Sequence, residues 1–124
     1  RLKDWVEETG RRFEIPADRL FEIKTALYEA VANVICHGYD DTAEHCIGVQ
    51  LKVSERAVET TVDDDGRPFN PVSALPRRLA RTVGEAEIGG RGILLMRSFS
   101  DGLHYERVDG RNRLTLIRTL PAPR

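Results

Sequence analysis

The stretch ADRLFEIKTALYEAVANVICHG, residues 17–38, is the longest run of the chain that keeps one periodicity. Leu20, Ile23, Leu27, Ala30, Val31 and Val34 recur at helical spacing, which makes one apolar stripe along a long helix. Asp18 is a candidate N-cap just beyond Pro16, and Gly38 is the expected stop. Such a stripe needs a layer to pack on, and the rest of the chain supplies strands. CIGVQLKVS and AVETTVDD alternate apolar and polar residues around a tight turn at residues 54–56. GLHYERV and RNRLTLIRTL are two further strands, and Asp109-Gly110 between them is a hairpin signal. LKDWVEET reads as a first helix that Gly10 can end, and GGRGILLMRSFSD opens with glycines and continues as a helix. VSALPRRLARTV is expected to be a short helix and a mobile segment broken at Pro76. The order predicts an α+β fold: a two-layer sandwich in which a mixed, largely antiparallel sheet is backed by helices on one face.

The chain has 124 residues, with no internal repeat and no visible boundary, so residues 1–124 are expected to form one domain. It begins at Arg1 rather than Met, as expected of a piece of a longer polypeptide or a trimmed chain. A net charge of −1 gives no footprint for nucleic acid or for an anionic membrane. No apolar run approaches the ~20 residues of a membrane span, and no signal-peptide pattern is present, so the expected compartment is the cytoplasm. Cys36, His37, His45 and Cys46 are four conceivable zinc ligands, but adjacent pairs point in different directions on a helix. The ordinary reading is a small apolar Cys on each of two buried elements.

Three motifs carry chemistry. Glu29, Asn33 and His37 stand four residues apart on the flank of the long helix, in the sector of Ala26 and Ala30. That edge is small and polar, which suits either a solvated helix edge or a wall aimed into a pocket. DDDGRPFNP is either an acidic β-turn or a D-x-G element, Asp64 with Gly66, beside that pocket. A carboxylate is acceptor-only and suits an exocyclic amine such as adenine's, and a glycine lets a flat ring approach the backbone. Three successive aspartates leave the register open. GGRG, residues 89–92, is either a flexible loop capped into a helix or a phosphate cradle of exposed N–H groups at a helix N-terminus. It is not a P-loop.

Taken in order, E-x-x-x-N, D-x-G and G-G-x-G resemble the N, G1 and G2 boxes of the GHKL ATP-binding superfamily. EAVANVICHGY, DDGRPFNP and GGRGILLMRSFSD are most similar to the branch of the anti-sigma factor serine kinases, over roughly residues 20–107. The resemblance implies the GHKL ATP-binding fold, with Glu29 as general base and Asn33 as the Mg²⁺ ligand. Asp64 corresponds to the adenine-binding carboxylate and Gly66 to its glycine. Gly89, Gly90 and Gly92 correspond to the phosphate loop, with Arg91 inside it. Residues 71–88 take the place of an ATP lid, where Arg77, Arg78 and Arg81 either reach the phosphates or an acidic partner or form a solvated face. For His37 a structural contact is the expectation. The function implied is a Mg-ATP-binding anti-sigma factor: a homodimeric serine/threonine protein kinase that phosphorylates an anti-sigma factor antagonist and sequesters a sigma factor. The alternative is an ATP-binding regulatory module of a multidomain phosphatase or sensor with little kinase activity. A third possibility is the catalytic domain of a histidine kinase, over which the E-x-x-x-N pair and the PFNP segment favour the anti-sigma branch.

Overall fold

The computed structural model describes residues 1–39, 45–72 and 91–121. The elements run α1 (Leu2–Arg12), α2 (Ala17–His37), β1 (Gly48–Val53), β2 (Ala57–Asp64), α3 (Arg91–Ser98), β3 (Gly102–Val108) and β4 (Arg111–Thr119). The four strands form one sheet in the order β1-β2-β4-β3, antiparallel at every pairing. The last strand in sequence therefore occupies a central place. Both hairpins form as their turn residues dictate. Asp109 and Gly110 both take positive φ, 52° and 77°, as a two-residue primed turn requires. At the other hairpin the Ser54 hydroxyl accepts the Ala57 N–H at 3.2 Å.

Side-chain alternation decides which face is covered. On β2, Val58, Thr60, Val62 and Asp64 are buried, while their neighbours are only partly so. On β4, Asn112, Leu114 and Leu116 point the same way. α2 packs on β2 and β4, with α3 beside it. Val6, Ala26, Leu27, Ala30, Val62, Ile93, Met96, Leu114 and Leu116 form the main core. Ala26 and Ala30 leave only methyl groups under α2, so the helix backbone can lie close to the sheet. Leu27 and Met96 fill the space on either side, both at 0% exposure. The outer face is polar at one end, where Asp63 meets Arg111 and Arg113, and Arg113 meets Glu106.

Three local expectations change. α1 does not end at Gly10 but continues to Arg12. Gly10 is buried because α2 comes close there: a Cβ would sit 2.5 Å from Leu20 Cδ2. The chain turns instead at Glu14, φ 53°, and Ile15 N–H returns to Gly10 O at 2.9 Å. The N-cap of α2 is Pro16, whose carbonyl accepts the Leu20 N–H, and Asp18 sits in the first turn, where its charge suits the helix dipole. Cys36 and Cys46 are both exposed, and among the described residues no three His, Cys, Asp or Glu side chains gather as a metal site would need. Residues 73–88, which hold most of the expected lid with Arg77, Arg78 and Arg81, lie outside the described residues. Among those described, no helix is long and apolar enough to cross a membrane.

One ion cluster ties the layers together. Arg118 on β4 donates to both carboxylate oxygens of Glu22 on α2 at 3.0 Å and to Asp101, before β3, at 3.1 and 3.2 Å. Asp101 also accepts the Thr119 N–H at 2.7 Å, and that bond is the largest cause holding its carboxyl below the ordinary carboxylate value. A lowered folded pKa adds stability that is present above the unfolded value and lost as pH falls through the folded one. Asp101→Asn should therefore be less stable at neutral pH, by about 1 kcal/mol given its partial exposure to solvent. The gap should narrow as pH drops below 3.8, the ordinary value for the group. Urea unfolding of both proteins across the acid range measures it, and a gap constant with pH would show that the carboxylate charge contributes nothing.

Candidate functional site

The register of the three aspartates follows from strand alternation. Asp63 faces outward and pairs with Arg111 at 2.5 Å. Asp65 leaves the strand and accepts the Tyr39 hydroxyl at 2.6 Å, which holds its carboxyl low. Burial, then that hydrogen bond, pushes the Tyr39 phenol up to about 12. Asp64 faces inward and is 3% exposed. Its Oδ1 accepts the Gly66 N–H at 2.9 Å and the Asn112 amide at 3.0 Å. Among the described residues, no hydrogen bond reaches its Oδ2.

The loop after Asp64 is locked to the end of α2. Arg67 N–H donates to Gly38 O at 2.8 Å. Gly66 and Gly38 meet backbone to backbone: a Cβ on Gly66 would lie 2.7 Å from Gly38 O and 2.9 Å from Gly38 Cα. Gly38 itself has helical φ and ψ, and a Cβ there would lie 2.7 Å from Val34 O of its own helix, so no left-handed turn is involved. Arg107 on β3 donates to Gly66 O at 2.7 Å from the other side.

These contacts frame a cleft between α2, the sheet and the loop. Ala30, Asn33 and Val34 form the helix wall, Val62, Leu114 and Tyr105 the sheet wall, and Phe69 and Pro71 the loop wall. Asp64 and Asn112 bring polar groups into this apolar surround. Small-molecule sites have this composition, apolar walls with a few convergent polar groups. The Asn33 amide Nδ2 is buried and has no hydrogen-bond partner among the described residues. An orphaned buried polar group costs about 1–3 kcal/mol, and a bound ligand is one standard way to satisfy it. The residues therefore fit a nucleotide: an acceptor for an amine, a glycine at the close approach, and on the facing wall an amide whose Nδ2 can donate to a phosphate oxygen and whose Oδ1 is the atom that would hold a divalent ion.

Of the residues singled out from sequence, Asn33 and Asp64 line one cleft, and Gly66 adjoins it. Glu29 stands one turn before Asn33, roughly 6 Å along the axis, half-buried and outside the cleft lining. Arg91 and Gly92 open α3 as its first turn, while Gly89 and Gly90 lie outside the described residues. His37 is exposed and stacks on Phe69 with ring centroids 4.7 Å apart, so it backs a cleft wall. Sequence reasoning passed over Asn112, Tyr105, Arg107 and Phe69. For Asn112 a signal existed: in RNRLTLIRTL the inward positions are 112, 114 and 116, which puts an amide in core register.

Comparison with known proteins points one way. The family model described as histidine kinase-like ATPase domain matches residues 1–118. The chain is 34% identical over 112 residues to "Serine/threonine-protein kinase BtrW" of Bordetella bronchiseptica, covering 90% of this chain and 79% of that protein. It is 32% identical to "Anti-sigma F factor" of Anoxybacillus flavithermus, over 83% of this chain and 71% of that one. Against "Anti-sigma F factor" of Bacillus subtilis it is 33% identical, over 72% of this chain and 61% of that protein. Among solved structures, the blue-light activated histidine kinase of Erythrobacter litoralis has the same fold, with TM-score 0.63 at 18% identity, over 86% of this chain and 32% of that one.

The glycine contact makes a prediction about stability. Gly66→Ala forces a methyl group into backbone atoms that cannot swing away, so it should cost about 1–3 kcal/mol. Gly48→Ala is the control, because its nearest neighbours would lie at 3.8 Å, and it should stay within about 0.5 kcal/mol of the parent. Equal stability of the two variants in chemical denaturation would refute the close contact.

Proposed function

The chain belongs to the histidine kinase-like ATPase domain family and to its protein serine/threonine kinase branch, and from that premise we propose that it is a Mg-ATP-dependent anti-sigma regulator. In this reading it transfers the γ-phosphoryl group to a serine or threonine of an anti-sigma factor antagonist, holds a sigma factor, and works as a homodimer. The observation that carries the reading is the pairing of two uncommitted polar groups in one apolar cleft, Asp64 Oδ2 on the sheet and the Asn33 amide on α2. The kinship with anti-sigma F factors supports the choice of partners.

Each residue has a distinct task. Asp64 accepts the exocyclic amine of adenine, and the contact of Gly66 with Gly38 keeps Cβ atoms away from that end of the cleft. Val34, Val62, Phe69 and Leu114 exclude water around the base. Asn33 can donate its Nδ2 to a phosphate oxygen, and the first turn of α3 offers N–H groups to phosphate oxygens. Mg²⁺, when bound, would neutralise phosphate charge, with the Asn33 amide oxygen as the side-chain atom that would hold it. Glu29, outside the cleft lining but one turn from Asn33, takes the proton from the incoming hydroxyl as its oxygen bonds to the γ-phosphorus and ADP leaves.

Binding is tested by ATP titration of Asp64→Asn against Asp63→Asn. Loss of a hydrogen bond to a charged group costs about 1.5–3 kcal/mol, or one to two decades of affinity. Only the Asp64 variant should lose it, and loss confined to Asp63→Asn would refute the assignment. Chemistry is separated from binding by single-turnover transfer from labelled ATP to candidate antagonists. Asn33→Ala should lower both metal-dependent affinity and transfer. Glu29→Ala should bind within a few-fold of the parent yet transfer about 10²–10³ times more slowly. Transfer by Glu29→Ala at the parental rate would remove it as base. A parent that binds ATP but phosphorylates no antagonist would leave the regulatory-module reading.

A further inference from the structure

Asn112 is 5% exposed and sits directly across from Asp64 in the β2–β4 register. Its Nδ2 donates to Asp64 Oδ1 at 3.0 Å, to Arg67 O at 2.8 Å and, at 3.4 Å, to Gly66 O. Its Oδ1 accepts from the Tyr105 hydroxyl at 2.5 Å and from Arg107 Nη1 at 3.1 Å. Among the described residues, every hydrogen-bond partner of Nδ2 is a carboxylate or carbonyl oxygen, and the guanidinium on Oδ1 can only donate. The amide therefore has one orientation, set by its surroundings. Two donors, the Gly66 N–H and Asn112 Nδ2, then converge on the same oxygen of Asp64. The outer torsion of a free aspartate is broad, but two bonds to one oxygen hold the carboxylate in one pose.

We infer that Asn112, held by Tyr105 and Arg107, is a positioning residue that sets base preference in the cleft. It occupies Asp64 Oδ1 and so fixes Oδ2 as the single reading atom, a pure acceptor. A purine with an amine at that edge satisfies it, whereas one with a carbonyl there faces an oxygen that cannot donate. Without Asn112 the carboxylate turns, water enters beside it, and a water molecule can bridge to a carbonyl as readily as the carboxylate meets an amine. Tyr105 lines the cleft and anchors Asn112 at once, so a change at its hydroxyl reaches Asp64 through the amide.

The inference rests on the nucleotide reading of the cleft, and its test separates the two. Calorimetric titration with ATP and with ITP, whose base carries a carbonyl in place of the amine, gives a preference ratio for each protein. The parent should prefer ATP by about ten- to a hundredfold, the scale of one hydrogen bond to a charged group. Asn112→Leu should cut that ratio about fivefold or more, and Tyr105→Phe, which removes one hydroxyl from a half-buried ring, should cut it about two- to threefold. A merely structural role would weaken both nucleotides alike and leave the ratio at the parental value, which overturns the inference. Should Asn112→Leu not fold, Tyr105→Phe alone decides on the same criterion. If the parent itself binds ATP and ITP equally, the amine reading of Asp64 fails and the inference falls with it. If Asp64→Ala abolishes the preference while neither Asn112→Leu nor Tyr105→Phe moves it, the inference alone fails.

Discussion

The cleft depends on one contact between two stretches of bare backbone. α2 ends at Gly38, the loop after β2 turns at Gly66, and the absence of a Cβ at Gly66 lets the two chains touch. The bond from Arg67 N–H to Gly38 O closes the contact. It fixes the far end of the helix that carries Glu29 and Asn33 against the strand that carries Asp64. A Cβ at Gly66 would meet the Gly38 backbone and push the loop away from the helix end, and the walls of the cleft would part. The surrounding polar bonds reinforce this point of closure. Arg107 grips Gly66 O from β3, and Asn112 reaches Gly66 O and Arg67 O from β4.

At the opposite end of α2 the layers are joined by charge instead of by backbone. Arg118 is held between Glu22 and Asp101, with little of its side chain exposed. A guanidinium presents paired N–H groups in a fixed plane, so each carboxylate meets it in defined geometry. Between these two ends α2 rests on Ala26, Leu27 and Ala30. Small residues lower its backbone onto the sheet, and Asn33 continues that line beyond the dry core into the cleft. The polar edge of the helix is thus the place where the core stripe runs past the packed interior.

Much of this was legible in the sequence, for identifiable reasons. Strand alternation and the Asp109-Gly110 turn are local signals, and the structure keeps both hairpins. The E-x-x-x-N spacing put two side chains along one helix edge because one turn separates them, although only Asn33 lines the cleft. Other features depended on partners distant in sequence. Gly10 looked like a helix terminator because its actual reason, the approach of Leu20 from another helix, is a tertiary one. The choice among Asp63, Asp64 and Asp65 needed the pairing of β2 with β4, since Arg111 and Asn112 take opposite faces. The role of Asn112 depended on the same pairing. Alternation along β4 puts its amide in core register, but its partner Asp64 is known only once β4 is known to lie beside β2.

The strand order has a consequence for how the protein is made. β4 is the last strand in the sequence, yet it lies between β2 and β3, and it brings Asn112 and Leu114 to the cleft. A chain emerging from the ribosome can form α2 and the first hairpin early, because their contacts are local. It cannot seat Asp64 until residues some fifty positions later have come into reach, as the 48-residue separation of Asp64 and Asn112 sets out. During synthesis one side of β2 stays an unpaired edge, open to mispairing. The cleft is thus completed only with the central strand in place, and a partly made chain carries only part of its walls.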